Sequence, residues 1–577
     1  MSGSVNENQI EKYPSNTITP EDTKDEKKLP LDSPTTAPQG ELYELEPKKE
    51  GFFESIINDF KPATTTRGDG AALKRSLKGR HMQMIAIGGA IGTGLFVGSG
   101  SSLANGGPAS VIIDYTLIGI MMYFTVYALG ELAVAYPLAG GFYTYCMRFI
   151  DPGWGFACGW NYFLNYFVTF PLELTTCAIT FKYWTEINSA VWISIFLFLI
   201  IFINLFGVKG YGEVEFILST IKVIATTGFI ILAIIINCGG VPTDHRGYIG
   251  GKIISHQPFR HGFKGFCSVF TTAAFSFSGT EAVGLAAAEA ENPRKSLPHA
   301  TRQVFWRIAI FYVVGLLMIS LLVSPDDSDL MNNSSNTSVS PFVLAIREAG
   351  IKGLPSVFNA VIIISVISVA NSCTYIASRT LHALALNKNA PSFLTYTDRL
   401  GRPLMAMILV LAFGFIAYIN EAKNKSTTVF NWLLAVSGLS SFFSWGSINL
   451  CHIIFRLAMK KQGRSLDTLG FVSPMGIWGS CIGLGFNILC LIAQFYVSLF
   501  PVGGKPNAAG FFQGYLAAIV VVVFFIGYKI YDRTYIRSLA DIDLDTGLHT
   551  FEDLSDNNNE KPRNAKGRIK QVLKNVC

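Results

Sequence analysis

"AIGGAIGTGLFVGSG", residues 86–100, is the stretch on which the fold turns. It is apolar enough for a bilayer interior, yet Gly88, Gly89, Gly92, Gly94, Gly98 and Gly100 crowd into it. Each glycine inside a helix costs roughly 1 kcal/mol relative to alanine. A spanning segment weakened in this way either packs closely against a neighbour or is built to break. Gly88-x-x-x-Gly92 and Gly94-x-x-x-Gly98 have the spacing of a close helix contact, so packing is a genuine rival.

The surrounding sequence sets the class. Half of the 577 residues are hydrophobic and 15% are charged, against the usual quarter. The mean hydropathy is +0.37. Runs such as "VWISIFLFLIIFINLF" from Val191 and "LAAIVVVVFFIGY" from Leu516 recur along the chain. Repeated runs of this length suit bilayer spans of about 20 residues, and their lack of alternation excludes a membrane barrel. The chain reads as an all-α polytopic membrane protein with about 12 transmembrane helices. Residues 1–82 form an N-terminal tail and 83–238 hold spans one to five. A loop follows over 239–265, then spans six to ten over 266–455. Residues 456–531 hold a loop and spans eleven and twelve, and 532–577 are the C-terminal tail.

Both tails are polar, with no apolar signal-peptide core at the start, and are expected to be disordered. An even span count places them on one side. Lys74, Arg75, Lys78 and Arg80 immediately before the first span make that side cytoplasmic. Loops holding Arg294, Lys295 and Arg302, and Arg456, Lys460, Lys461 and Arg464, then also face inside. The loop over 239–265 carries basic residues as well but falls outside, against the rule. Glycosylation triplets at Asn332, Asn333 and Asn336 agree with an outside loop.

The net charge of +6 comes from juxtamembrane Lys and Arg, and no nucleic-acid-binding pattern accompanies it. The ten cysteines contain no C-x-x-C and the eight histidines no H-E-x-x-H, so neither a metal site nor a disulfide framework is indicated. His245, His256 and His261 read as a solvated loop. No G-x-S-x-G or P-loop points to an enzyme.

An ionisable group at membrane depth is costly and therefore a functional candidate. Glu131, Glu173, Lys222 and Glu281 stand out, each with the rival reading of a group that merely ties the bundle together. Lys222 is the strongest candidate for gaining and losing a proton, with Glu281 or Glu131 as the second station. Glu289, Glu291, Arg294 and Lys295 read as a helix-end cap.

The sixth span, "TTAAFSFSGTEAVGLAAAE" from Thr271, is also weakened at mid-depth, by Ser276, Ser278, Gly279 and Thr280. Breaks in spans one and six imply two halves of five spans, the second inverted. Interrupted segments at corresponding positions are a sequence pointer to a transporter's substrate site. Unwinding frees amides at the start of one half-helix, which suit a carboxylate, and carbonyls at the end of another, which suit an ammonium. A site offering both fits an α-amino acid. Such open backbone is tolerated only where it lines a cavity.

"HMQMIAIGGAIGTGLFVGSG", "ELAVAYPLAGGFYTY", "AFSFSGTEAVGLAAAEAENPRKSLP", "SVANSCTYIASRTL" and "SGLSSFFSWGSINLCHIIFR" together resemble the fungal amino-acid permeases of the amino acid–polyamine–organocation superfamily. Within it the pattern is nearest to the broad-specificity branch. The resemblance implies proton-coupled uptake of amino acids across the plasma membrane by a five-plus-five inverted repeat, with the proton as co-substrate and no cofactor. It implies that amides of the Gly92–Thr93–Gly94 turn hold the substrate carboxylate and that carbonyls of Ala90, Phe275 and Ser278 hold its ammonium, with Phe275 as a gate. Lys222 would replace a sodium ion against the first span. Glu281 follows the sixth-span break. Glu173, Ser372 and Ser441 would complete the side-chain pocket. The stretch "VTFPLELTT" around Glu173 departs from the expected pattern, which bears on selectivity. The resemblance further implies ubiquitin-ligase machinery acting at tail lysines, with Lys12, Lys24, Lys27 and Lys28 as candidates. It also implies palmitoylation of Cys577, beside the basic Lys570 and Lys574. A narrower permease for basic amino acids or proline is the neighbouring reading. A non-transporting sensor on the same fold is the rival of another class; the N-terminal tail is short for one.

Overall fold

The computed structural model describes residues 59–62, 75–89, 91–331, 340–421 and 426–548. The described residues contain twelve helical spans in the expected order and no strand beyond two isolated bridges. The first span is Gly79–Gly88, an interruption, a π-helical turn Gly94–Gly98 and Ser99–Gly106. Spans two to five are Pro108–Ala135, Pro152–Phe181, Ser189–Leu205 and Gly207–Asn237. The sixth is Gly262–Phe277, an interruption and Ala282–Ala286. Then come Pro293–Leu322, Leu354–Leu386, a ninth span running from Leu404 to Glu421, Ser426–Lys461, Gly476–Leu499 and Ala508–Asp532.

Seven of these helices are long and apolar enough to cross a membrane by themselves, and the fourth and ninth are shorter apolar helices. The two broken spans and the third complete the set. The third is long, at 30 residues, but buries Asn161, Asn165, Thr169, Glu173, Thr175 and Thr176. A helix enclosed by others needs no lipid-compatible surface, so its polarity is tolerated.

Helices outrun the hydropathy signal at several ends. The first begins at Gly79 rather than 83, the sixth at Gly262 rather than 266, and the tenth continues to Lys461 rather than stopping at 455. A short helix, Lys252–His256, lies in the loop before the sixth span. The reason is that backbone bonding runs on until a cap stops it, whatever the side-chain polarity. Asp151 caps the third span by accepting from Gly153 N at 2.7 Å and Trp154 N at 3.2 Å, with Pro152 at the first helical position. Asn292 and Pro293 start the seventh in the same way. Arg294, Lys295 and Arg302 are therefore helical rather than in a loop, as are Arg456, Lys460 and Lys461 at the end of the tenth.

The two broken spans run antiparallel side by side. Leu77, just before the first, forms a parallel bridge with Ala290, just after the sixth. At the other end Arg260 N donates to Gly106 O at 2.9 Å. The chain ends that are described, 59–62 and 533–548, lie at the Leu77 end: Arg399 N bonds Lys61 O at 3.1 Å, and Tyr136 Oη bonds Leu544 O at 2.9 Å. We call this the tail end. Burial grades outward from the third and eighth spans. The apolar window of the eighth is 83% buried, whereas those of the eleventh and twelfth are 22% and 17%. Ile488, Leu489 and Ile492, with Val522, Val523 and Ile526, give those last two spans an apolar exposed face. That face suits lipid.

Candidate functional site

Both breaks are present, and they adjoin. In the first span, helical bonding resumes with Phe96 N to Gly92 O at 3.0 Å. A helix start leaves its first amides without a helical acceptor, here those around Thr93 and Gly94. Packing is equally real. A Cβ on Gly94 would sit 2.5 Å from Ser276 Cα, and one on Gly98 would sit 2.9 Å from Thr272 Cγ2. Gly94 is therefore small because the sixth span's backbone lies against it. Space for a carboxylate is not the constraint. The close-contact reading and the broken-helix reading both hold, on different residues of one segment.

In the sixth span the helix ends with Ser278 N bonding Ala274 O at 3.0 Å and Phe275 O at 3.3 Å. Gly279 then takes φ +96°, a conformation glycine adopts without a Cβ penalty. Thr280 Oγ1 donates to Phe277 O at 2.7 Å, and Tyr312 Oη to Ser276 O at 2.7 Å. Two of the carbonyls exposed by the break thus have partners already. Ser278 remains half-buried at the edge of a cavity.

The cavity lies between spans one, three, five, six and eight. Gly92, Thr93, Gly94, Glu173, Phe275, Ser278 and Ser372 line it, as the sequence expects. Tyr166, Thr169, Tyr211 and Cys373 line it too. Glu173 is the one acidic residue among the described lining residues. Thr93 Oγ1 donates to Glu173 Oε2 at 2.5 Å, while Glu173 Oε1 is buried without a hydrogen-bond partner.

Glu281 stands behind the lining. It accepts from Trp445 Nε1 at 3.1 Å, from Gly279 N at 3.3 Å and from the Tyr166 hydroxyl, which reaches the cavity and Ser278 Oγ at 3.2 Å. Lys222 also lies outside the lining. Its Nζ donates to Ser368 Oγ at 2.7 Å and stands 3.9 Å from Glu215 Oε1. Ser368 Oγ in turn lies 2.7 Å from both Glu215 oxygens, and Ser219 Oγ bonds Glu215 at 2.9 Å and Met84 O at 3.4 Å. This cluster therefore abuts the inner half of the first span.

Besides Glu281 and Lys222, two more expected site residues do not line the cavity. Ser441 is buried on the tenth span with its hydroxyl unpartnered, outside the lining. Glu131 sits at the tail end, where Arg456 Nη2 donates at 2.7 Å, Ser473 N at 2.7 Å, and His452 Nε2 stands at 3.2 Å. Ala90, Lys12, Lys24, Lys27, Lys28, Cys577 and the triplets at Asn332, Asn333 and Asn336 lie outside the described residues. Sequence reasoning missed Glu215, Arg379, Arg307 and Asp114, all buried on spans. The rule that selected Glu173 would have found each of them.

A cavity between two broken, antiparallel helices, with one open carboxyl oxygen, is the candidate small-molecule site of a helical membrane protein. The sequence profile described as "Amino acid permease" matches residues 81–540. The chain belongs to this family. Among permeases and transporters similar to it, a Schizosaccharomyces pombe protein named Cationic amino acid transporter 1 is 74% identical over 541 residues, covering 93% of this chain and 92% of its own. Amino acid transporter 1 of the same organism is 68% identical, covering 96% of each. The General amino-acid permease GAP2 of Candida albicans is 54% identical, covering 83% and 82%.

Proposed function

We propose that this permease takes up amino acids across the plasma membrane together with protons, with broad specificity and both tails in the cytoplasm. The observation that carries the reading is the meeting of first-span amides, the Ser278 edge of the sixth-span break and the open oxygen of Glu173 in one cavity. Amides at Thr93 and Gly94 take the carboxylate, and the sixth-span edge with Glu173 takes the ammonium. Lys222, paired with Glu215 against the first span, is the proton-coupling residue of this reading. Glu281 communicates with the cavity through Tyr166. Glu131, matched by Arg456, serves as an anchor of the bundle rather than a proton station. No step requires a cofactor or a catalysed bond change.

A second reading has its own support. The one acidic group among the described lining residues favours a cationic side chain, and one relative's name specifies cationic amino acids. Uptake of labelled arginine, lysine, glutamine, leucine and proline by a permease-null cell decides between them. Comparable uptake across the panel supports breadth; arginine and lysine alone support the cationic reading; uptake of none overturns both. Coupling is tested by Lys222→Ala in vesicles. Retained counterflow with lost accumulation supports a proton-coupling lysine; loss of both makes Lys222 a prop. The tails are read as regulatory, through ubiquitin on Lys12, Lys24, Lys27 and Lys28 and palmitate on Cys577. Unchanged turnover after the four Lys→Arg changes, or a free Cys577 thiol in the membrane-bound protein, counts against that reading.

A further inference from the structure

Below the cavity, toward the tail end, a continuous column of side chains joins three spans. Tyr211 lines the cavity from the fifth span. Its ring stacks on Tyr375 of the eighth, with centroids 4.3 Å apart and planes 1° from parallel. The Arg379 guanidinium carbon lies 4.2 Å from the Tyr375 centroid. Arg379 Nε donates to Glu289 Oε1 at 3.0 Å, and Tyr375 Oη donates to Glu289 Oε2 at 2.8 Å. Glu289 ends the sixth span, and its side chain and that of Arg379 are both buried. The Glu289 carbonyl also accepts from Ser76 N at 2.9 Å and Leu77 N at 3.0 Å, just before the first span. One residue thus ties the tail-end halves of both broken spans to the eighth helix.

We infer that Glu289 and Arg379, with Tyr375, are the gate pair that closes the cavity toward the tail end. The inference rests on the transporter reading above, but not on its substrate or its coupling ion. A buried ion pair suits this task physically. Dehydrating two charges offsets most of their attraction, so the pair is a weak stabiliser of the closed form. Opening admits water to both groups, so the open form is not heavily penalised either. Geometry nevertheless fixes a single closed register, because Arg379 Nε and the Tyr375 hydroxyl each take one Glu289 oxygen. An apolar pair at the same positions would close as well and reopen less readily. A single charge left behind would draw water in and favour opening.

Cys373 is the reporter, since it is native, buried and lines the cavity. Inside-out vesicles expose the tail end to a membrane-impermeant thiol reagent, and peptide mass spectrometry isolates modification of Cys373 from that of the other cysteines. Arg379→Gln is expected to speed Cys373 labelling by about tenfold or more, because Glu289 then stays charged and unmatched. The exchanged pair Glu289→Arg/Arg379→Glu is expected to return labelling to within about threefold of the parent, since the charges match again. The double change Glu289→Met/Arg379→Met is expected to label more slowly than the parent and to lower the maximal uptake rate with KM little changed. Parent-like labelling in Arg379→Gln, or an exchanged pair as open as the single variant, overturns the inference. If Arg379→Gln does not reach the membrane, the methionine pair decides: slower labelling supports the gate, and parent-like labelling overturns it. Failure of the amino-acid reading would instead appear as absent uptake with the labelling pattern intact.

Discussion

Glu131 and Glu173 are both wholly buried carboxylates on the second and third spans, but their surroundings differ in kind. Glu131 faces a guanidinium, an imidazole and a backbone amide drawn from the tenth span and the loop after it. Its Oε1 makes no hydrogen bond either, but it lies 2.6 Å from Arg456 Nε and 3.2 Å from His452 Nε2, so its charge is matched by cationic neighbours from distant parts of the chain. Glu173 has one hydroxyl, from the broken first span, and an oxygen left open beside a cavity. Depth in a span therefore does not separate an anchor from a candidate binding group; a guanidinium held against the carboxylate does. A matched carboxylate has nothing left to offer a ligand. An incompletely paired one bears a desolvation cost that a ligand's cation relieves.

The strongest way to break this contrast is Glu131→Ala. It leaves Arg456 buried without its carboxylate and should lower stability by roughly 3–5 kcal/mol. Melting of the detergent-solubilised protein should fall sharply, while molecules that reach the membrane keep the parental KM. An altered KM with parental melting would move Glu131 into the transport path. Next comes Glu173→Gln, which keeps shape and removes charge. Uptake should fall by about 10- to 100-fold, the range for a lost hydrogen bond to a charged group. Its melting should stay close to the parent; a large drop there would make Glu173 a second anchor.

A smaller effect tests the backbone side of the cavity. Gly94→Ala places a Cβ 2.5 Å from backbone Cα of Ser276, whereas Gly92→Ala meets only the rotatable Val369 side chain, at 2.3 Å from its Cγ2. Overpacking costs about 1–3 kcal/mol where nothing can yield. Uptake should suffer more from Gly94→Ala than from Gly92→Ala; the reverse order would show that the cavity wall, not the contact between spans, limits this segment.

The smallest effect lies outside the membrane. Glu348 pairs with Arg246 at 2.6 Å. Burial, with Asp327 adding and Arg246 opposing, pushes Glu348 up to about 7. A carboxyl raised in this way is most favourable to the fold when protonated. Its contribution therefore falls as pH rises from the usual carboxylate range through about 7, and is level above that. Melting of the parent should decline relative to Glu348→Gln across that window. A constant difference between the two would remove Glu348 as the titrating group.

The span order and both breaks were legible because they rest on local signals: apolar run length, and glycine or serine clusters where a helix should be strongest. The ends of helices were less legible. Asp151 and Asn292 cap helices inside polar sequence, where hydropathy is silent. The site was half legible. Thr93, Gly94 and Ser278 are adjacent to their own signals. The pairing of Glu131 with Arg456, 325 positions away, is set by tertiary packing and leaves no local trace. The same holds for Lys222 with Ser368 and for Glu289 with Arg379. An ionisable residue in a span announces that a partner exists, but only the fold says which.

The contact of Gly94 and Gly98 with the backbone and side chains of Ser276 and Thr272 has a mechanical consequence. Two helices meshed without intervening side chains have no slack to slide or roll past each other. Any movement of one broken span is therefore passed to the other, and the two act as one lever. On the transport reading proposed above, such a lever keeps the two sides from opening together, and the Glu289–Arg379 pair is then the latch of its tail-end position rather than the whole barrier.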